Sequence, residues 1–214
     1  MLSPLYCFPR YYLWALRWLH GKNYHRRYRT MAGLVRRGET VLEPGCGPAA
    51  LAGYLPASPA GGPHKINYRG FDANPRFIAY ALKKNRRVKI GNILDPENYR
   101  PAPVVVVCDV LHHLPAAQKR EFIKLCFQNA RRLLIICEPQ LKKPVSGSFF
   151  WTASKKIHEW FERDGINKVK LEYTFTPTQA RRQIQAGFGV IPNRIKRKTE
   201  IIGADFMVVF SKHD

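Results

Sequence analysis

Short apolar runs alternate along the chain with longer stretches in which apolar residues recur every three or four positions. The runs predict strands at Thr40 to Glu43, Asn67 to Phe71, Val88 to Ile90, Val104 to Cys108 and Leu133 to Cys137. The periodic stretches predict helices from about Ala49 to Leu55, Pro75 to Lys84 and Ala116 to Asn129. Four consecutive valines, Val104 to Val107, leave no polar face, as a strand covered on both sides of a parallel sheet requires. Pro75 stands where a helix would begin, a place at which its missing N–H costs little. Such alternation predicts an α/β fold with a doubly wound, mostly parallel sheet. After Cys137 the texture changes to a basic, aromatic insertion at about 142–170, then a helix from about Thr178 to Ala186. Two more strand candidates follow, Val190 to Ile195 and Asp205 to Phe210. With no long helix between them they predict an antiparallel closing pair, which makes the sheet seven-stranded.

A chain of 214 residues can bury one core without a disulfide or metal staple, so residues 39–214 read as a single domain. The cysteines show no metal-ligand spacing, and four of the five lie in or beside apolar runs, as buried reduced thiols do. Charge adds more. Thirty-six Lys and Arg against fifteen Asp and Glu give +21, a field that attracts nucleic acid, an anionic membrane face or acidic metabolites without choosing among them. Residues 1–38 read either as a helical lid over the domain or as a membrane-surface segment, because Tyr11, Tyr12, Trp14, Trp18 and Tyr24 stand among Arg and Lys. No run reaches the roughly 18 to 20 apolar residues needed to span a bilayer, and the start has no small-residue cleavage site. A cytoplasmic protein is expected, with peripheral contact with the inner face of an anionic membrane as a further option.

Candidate chemistry begins where the first strand ends, at Glu43-Pro44-Gly45-Cys46-Gly47-Pro48-Ala49-Ala50. Glycines at a strand-to-helix turn let backbone approach a ligand, and the following helix start faces it. Gly45-x-Gly47-x-x-Ala50 alone also fits a dinucleotide fingerprint. Glu43 argues otherwise: a carboxylate there would repel a pyrophosphate and attract an ammonium or sulfonium.

Glu43-x-Gly45-x-Gly47 resembles the S-adenosylmethionine (SAM) motif of class I, Rossmann-like methyltransferases, in a variant with Glu-Pro for Asp-Leu and with Ala49 in place of a third glycine. The resemblance continues at later strand ends. It implies that Asp72, followed by Ala73, binds the ribose hydroxyls, for which a carboxylate offers two acceptor oxygens. It implies that Asn92, where the family more often has Asp, and the backbone at Ile93 meet adenine. Cys108-Asp109-Val110-Leu111-His112-His113-Leu114-Pro115 is similar to the fourth-strand signature of small-molecule members, and so brings Asp109 and Leu111 to the cofactor. Glu43, Gly45, Cys46 and Gly47 would form the methionine pocket. His112 and His113 are candidates for contact with the reacting groups, since imidazole can carry a proton near pH 7. Asp72 could instead cap the next helix, Asp109 could merely orient its turn, and Glu138 could face the acceptor or hold a turn.

The acceptor is the least legible part. The chain lacks the Asn/Asp-Pro-Pro-aromatic element of amino-group methylases of bases, and no cysteine stands beside a proline as in RNA cytosine C5 enzymes. A small-molecule or amphiphilic, phospholipid-like acceptor is expected, with RNA or a non-catalytic SAM-fold protein as alternatives. The aromatic N-terminus and Phe149, Phe150, Trp151, Trp160 and Phe161 of the insertion would supply apolar surface.

Overall fold

Strands form where side chains can be covered on both sides, and in the computed structural model, which describes residues 4–55, 66–139, 176, 178–179, 182, 195–202 and 205–212, seven of them make one sheet. They are β1 (Thr40–Pro44), β2 (Asn67–Asp72), β3 (Val88–Ile90), β4 (Ala102–Cys108), β5 (Ala130–Pro139), β6 (Ile195–Ile202) and β7 (Asp205–Lys212), in the spatial order β3-β2-β1-β4-β5-β7-β6. The first five pair in parallel; β7 runs antiparallel to both β5 and β6, so six strands point one way and one against them. The sheet is that of a Rossmann-like α/β fold with an antiparallel terminal strand.

Alternate residues of the central strands feed two separate cores. Val41, Val104, Val106, Ile135 and Met207 pack with Tyr24, Tyr28 and Met31 of α3 (Asn23–Gly33) and with Ile78 and Ala81 of α4 (Pro75–Leu82). On the other face Leu42, Val105, Val107, Leu134 and Phe206 pack with Phe122, Ile123 and Cys126 of α5 (Ala116–Asn129). Ahead of α3 come the four-residue α1 (Pro4–Cys7) and the longer α2 (Pro9–His20). Cys46, Cys108, Cys126 and Cys137 are buried free thiols, and Cys7 is half-buried. No helix among the described residues is long and apolar enough to cross a membrane.

Of the strand expected at Val190 to Ile195, only Ile195 lies among the described residues, where it opens β6 (Ile195–Ile202). Among the described residues β6 pairs with β7 alone, and an edge strand tolerates a charged sequence such as Lys196-Arg197-Lys198-Thr199-Glu200. The helix expected from Ala49 to Leu55 is a single 3₁₀ turn at Leu51–Gly53. Gly47 and Ala49 both have left-handed backbone, φ 52° and 56°, which prevents a regular first helical turn. The insertion lies outside the described residues, as does most of the helix expected from Thr178. At its start Thr176 Oγ1 accepts the Gln179 N–H at 3.2 Å and Gln179 Oε1 accepts the Thr176 N–H at 2.7 Å, a reciprocal cap.

Candidate functional site

Because the strand order reverses between β1 and β4, the connections leaving their C-terminal ends diverge and open a crevice there. Gly45 (φ 71°) and Gly47 turn the chain at its floor. The turn is tied to β2: Gly45 and Cys46 donate to the Phe71 carbonyl at 2.8 and 3.1 Å, and Gly47 N–H donates to Asp72 Oδ2 at 2.8 Å. Asp72 Oδ1 accepts the Asn74 N–H, also at 2.8 Å. The cap of α4 is Asn74, whose Oδ1 accepts from Arg76 and Phe77 at 3.0 and 3.4 Å, so Asp72 is left at the crevice wall. Ala49, where a third glycine was expected, keeps the glycine-like backbone. A Cβ on Gly45 would come within 2.8 Å of Val110 Cγ2, in a backbone region already costly for L residues. Gly45→Ala is therefore expected to cost about 2 kcal/mol or more, read as a lower midpoint in chemical denaturation; an unchanged midpoint would mean that the turn is not held in this form.

Three acids line the crevice. Glu43 is 4% exposed and accepts the Tyr68 hydroxyl at 2.5 Å. Gly70 makes room for that contact, since a Cβ there would lie 2.8 Å from the Tyr68 hydroxyl and 2.9 Å from Cys46 Sγ. Burial pushes the Glu43 carboxyl up to about 8; Tyr68 and Arg27 oppose the rise, while the charges of Asp109 and Asp72 add to it. Asp109 is held differently. Burial alone would raise it, but the Arg27 guanidinium, with His20 nearby, holds it below the usual carboxylate range.

Arg27, fully buried on α3, is the centre of this network. Its Nη1 donates to Asp109 Oδ1 at 3.0 Å and to Asp205 Oδ2 at 3.4 Å, and its Nη2 donates to Asp109 Oδ2 and to the Tyr28 hydroxyl. His20 Nδ1 lies 3.2 Å from Asp205 Oδ2, and the other ring nitrogen is 3.2 Å from Arg27 Nη1. In the sequence Arg27 stands in a basic run with Arg26 and Arg29. Its position on the stripe Tyr24–Arg27–Tyr28–Met31, at spacings of three, four and seven, is the signal that it faces inward.

Glu138, at the end of β5, organises the turn after β4. Its Oε1 accepts the N–H groups of Val110 and Leu111 at 2.7 and 2.8 Å, and its Oε2 meets His112 Nδ1 at 2.8 Å. It is a turn-holding residue, 1% exposed. The His113 ring lies 4.1 Å from that of His112 and meets the Tyr6 hydroxyl through Nε2 at 3.3 Å.

Helices α1 and α2 cover part of the crevice and leave a half-open cavity of about 390 Å³. Glu43, Gly45, Cys46, Gly47, Asp72, Ala73, Asn92, Ile93, Asp109 and His113 all line it. Two of the residues singled out in the sequence do not. Leu111 is fully buried in the core on the α5 side, and His112 is turned by Glu138 toward a separate pocket of about 20 Å³ beside α2. Tyr6, Leu13, Leu16, Phe77 and Gln118 also line the cavity, and no motif marks them. Of the five N-terminal aromatics singled out in the sequence, Tyr12 lines the cavity, Tyr24 is in the core, and Tyr11, Trp14 and Trp18 face outward. The aromatics of the insertion lie outside the described residues.

No protein-family model matches the chain, and no curated protein matches it by sequence. Solved structures do match in shape. A chain from the complex between a Haloferax volcanii methyltransferase activator and a candidate methyltransferase superposes with a TM-score of 0.66 at 10% identity, over 100% of both chains. Magnesium protoporphyrin IX methyltransferase from Synechocystis, solved with S-adenosylhomocysteine, gives 0.61 at 14% identity over 89% of this chain and 84% of its own. Human N-acetylserotonin methyltransferase in complex with SAM gives 0.63 at 14%, over 98% of this chain, which spans only 58% of that longer one. The protein has the fold of the class I SAM-dependent methyltransferases.

Proposed function

We propose that the protein is a SAM-dependent methyltransferase acting on a small or amphiphilic acceptor. The observation that carries this reading is the convergence, in one cavity, of a buried acid and a glycine turn at the end of β1, a second acid at the end of β2, and Asn92-Ile93 after β3. These residues fit SAM: Glu43 suits its ammonium and sulfonium charge, Gly45 and Gly47 admit it against the backbone, Asp72 can accept from ribose hydroxyls, and Asn92 with Ile93 borders the place for adenine. Bound there, SAM supplies the methyl group that a nucleophilic acceptor takes up directly. The chain's part is alignment and exclusion of water, which need no general base. Tyr12, Leu13, Leu16, Phe77 and Leu114 provide the apolar walls, and the Tyr6–His113 pair offers polar atoms to an acceptor. Those walls support an acceptor with apolar surface.

Calorimetric titration tests the reading. Wild-type protein is expected to bind SAM and S-adenosylhomocysteine, and Asp72→Ala, confirmed folded by its melting temperature, to bind at least roughly tenfold more weakly, about 1.4 kcal/mol. Folded wild-type protein that binds neither would remove the proposal.

A further inference from the structure

Helix α2 has two faces, and the cavity uses one. Tyr12, Leu13 and Leu16 turn inward and line it. Tyr11, Trp14 and Trp18, at spacings of three and four, form the opposite stripe and are 47%, 57% and 77% exposed, with Tyr11 and Trp14 stacked at 5.5 Å. Phe8, before the helix, extends this apolar surface and is exposed as well. Arg10 and Arg17 flank the stripe on one side, and Lys22 follows just beyond the helix. Residues 1–38 hold eight Arg and Lys and no acid; the first is Glu39.

We propose that the outer face of α2 docks on an anionic phospholipid surface, with Tyr11, Trp14 and Trp18 seated among the headgroups and Arg10, Arg17 and Lys22 against the phosphates. Contiguous exposed apolar surface on a helix is costly unless something covers it. Indole and phenol rings suit a headgroup layer because one end is apolar and the other hydrogen-bonds. Charge selects the lipid over a second copy of the chain: a symmetric pairing of two such faces would set Arg10, Arg17 and Lys22 of one copy against the same cations of the other. The docked surface would lie one helix diameter, about 10 Å, from the cavity. An amphiphilic acceptor could then reach the site from the lipid layer; that consequence rests on the function proposed above, whereas the docking does not.

The test is sedimentation of the full chain with phosphatidylcholine vesicles, with and without about one quarter phosphatidylglycerol, at physiological salt. The wild-type protein should pellet with the anionic vesicles and stay in solution with the neutral ones. Trp14→Ser with Trp18→Ser should lower the partition coefficient at least tenfold while leaving the melting temperature and the calorimetric affinity for SAM unchanged. Arg10→Gln with Arg17→Gln should lower it roughly thirtyfold, from about 1 kcal/mol for each basic residue at the surface. Wild-type protein that stays in solution with anionic vesicles overturns the proposal, as does pelleting that the tryptophan substitutions leave intact. A concentration-dependent dimer abolished by those substitutions, with vesicles ignored, would assign the face to a second copy. Binding of polyuridylate with the same dependence, and no vesicle binding, would assign it to RNA. Loss of SAM binding by the wild-type protein would count against the proposed function and leave the docking result standing.

Discussion

Arg27→Met is expected to destabilise the protein by about 3 to 5 kcal/mol, the usual cost of removing one partner from a buried charge network, and to lower its melting temperature by roughly 10 °C. The substitution preserves length and apolar bulk, so packing against Tyr24, Tyr28 and Met31 survives. What is lost is the charge that compensates buried Asp205 and half-buried Asp109. Asp109 would then titrate upward, since only Arg27 and its neighbours offset the burial. Adding Asp109→Asn and Asp205→Asn to Arg27→Met should recover much of the stability, because the cost resides in uncompensated charge. A single variant that melts with the wild type would show that the network contributes nothing. A triple variant no more stable than the single one would show that the loss is steric.

The second large effect is on ligand binding as a function of pH. With its carboxyl pushed up to about 8 by burial, Glu43 is largely protonated at neutral pH in the ligand-free protein. A ligand carrying an ammonium or sulfonium favours the carboxylate, so binding lowers this pKa and releases a proton. SAM affinity should therefore rise roughly tenfold per pH unit on approaching 8 and level off above it. Titrations in buffers of different ionisation heat should detect about one proton released per SAM at pH 7. In Glu43→Gln both the slope and the proton should disappear. The stability of the ligand-free protein runs in the opposite sense. The folded pKa lies above the ordinary value of 4.5, so this contribution is fully present below pH 4.5 and is lost as pH rises to about 8. An affinity for SAM that is flat from pH 6 to 8 would mean that Glu43 is already ionised or does not face the cation.

Much of this arrangement could be read from residues whose role depends on local pattern. Val104 to Val107 announced a strand covered twice, Pro75 marked a helix start, and Glu43, Gly45, Gly47, Asp72 and Asn92 each closed a strand that the apolar runs had located. Position in a parallel sheet then brings strand ends together, so residues far apart in sequence share a crevice without any further signal. What escaped depends on contacts the pattern does not encode. The edge strand β6 owes its place to pairing with β7 rather than to apolar side chains. Leu111 and His112 belong to a motif but are steered away from the cavity by hydrogen bonds to the carboxylate of Glu138, a residue 27 and 26 positions away. Tyr6, Leu13 and Leu16 come from helices before the first strand, whose placement is set by tertiary contacts such as Asn74 Nδ2 donating to the Tyr6 carbonyl at 2.9 Å.

The network at Arg27 also carries a consequence for the order in which the molecule is assembled. Arg27 precedes Asp205 by 178 positions, and Asp205 opens β7, the strand inserted between β5 and β6. During synthesis the helices that carry His20 and Arg27 are made well before Asp205, which both of them contact. Closing so long a loop is entropically slow. Until β7 is in place the cavity has its floor and its glycine turn but only part of what secures its roof. In refolding kinetics Arg27→Met should accordingly leave the folding rate nearly unchanged and accelerate unfolding, the mark of an interaction that forms after the rate-limiting step.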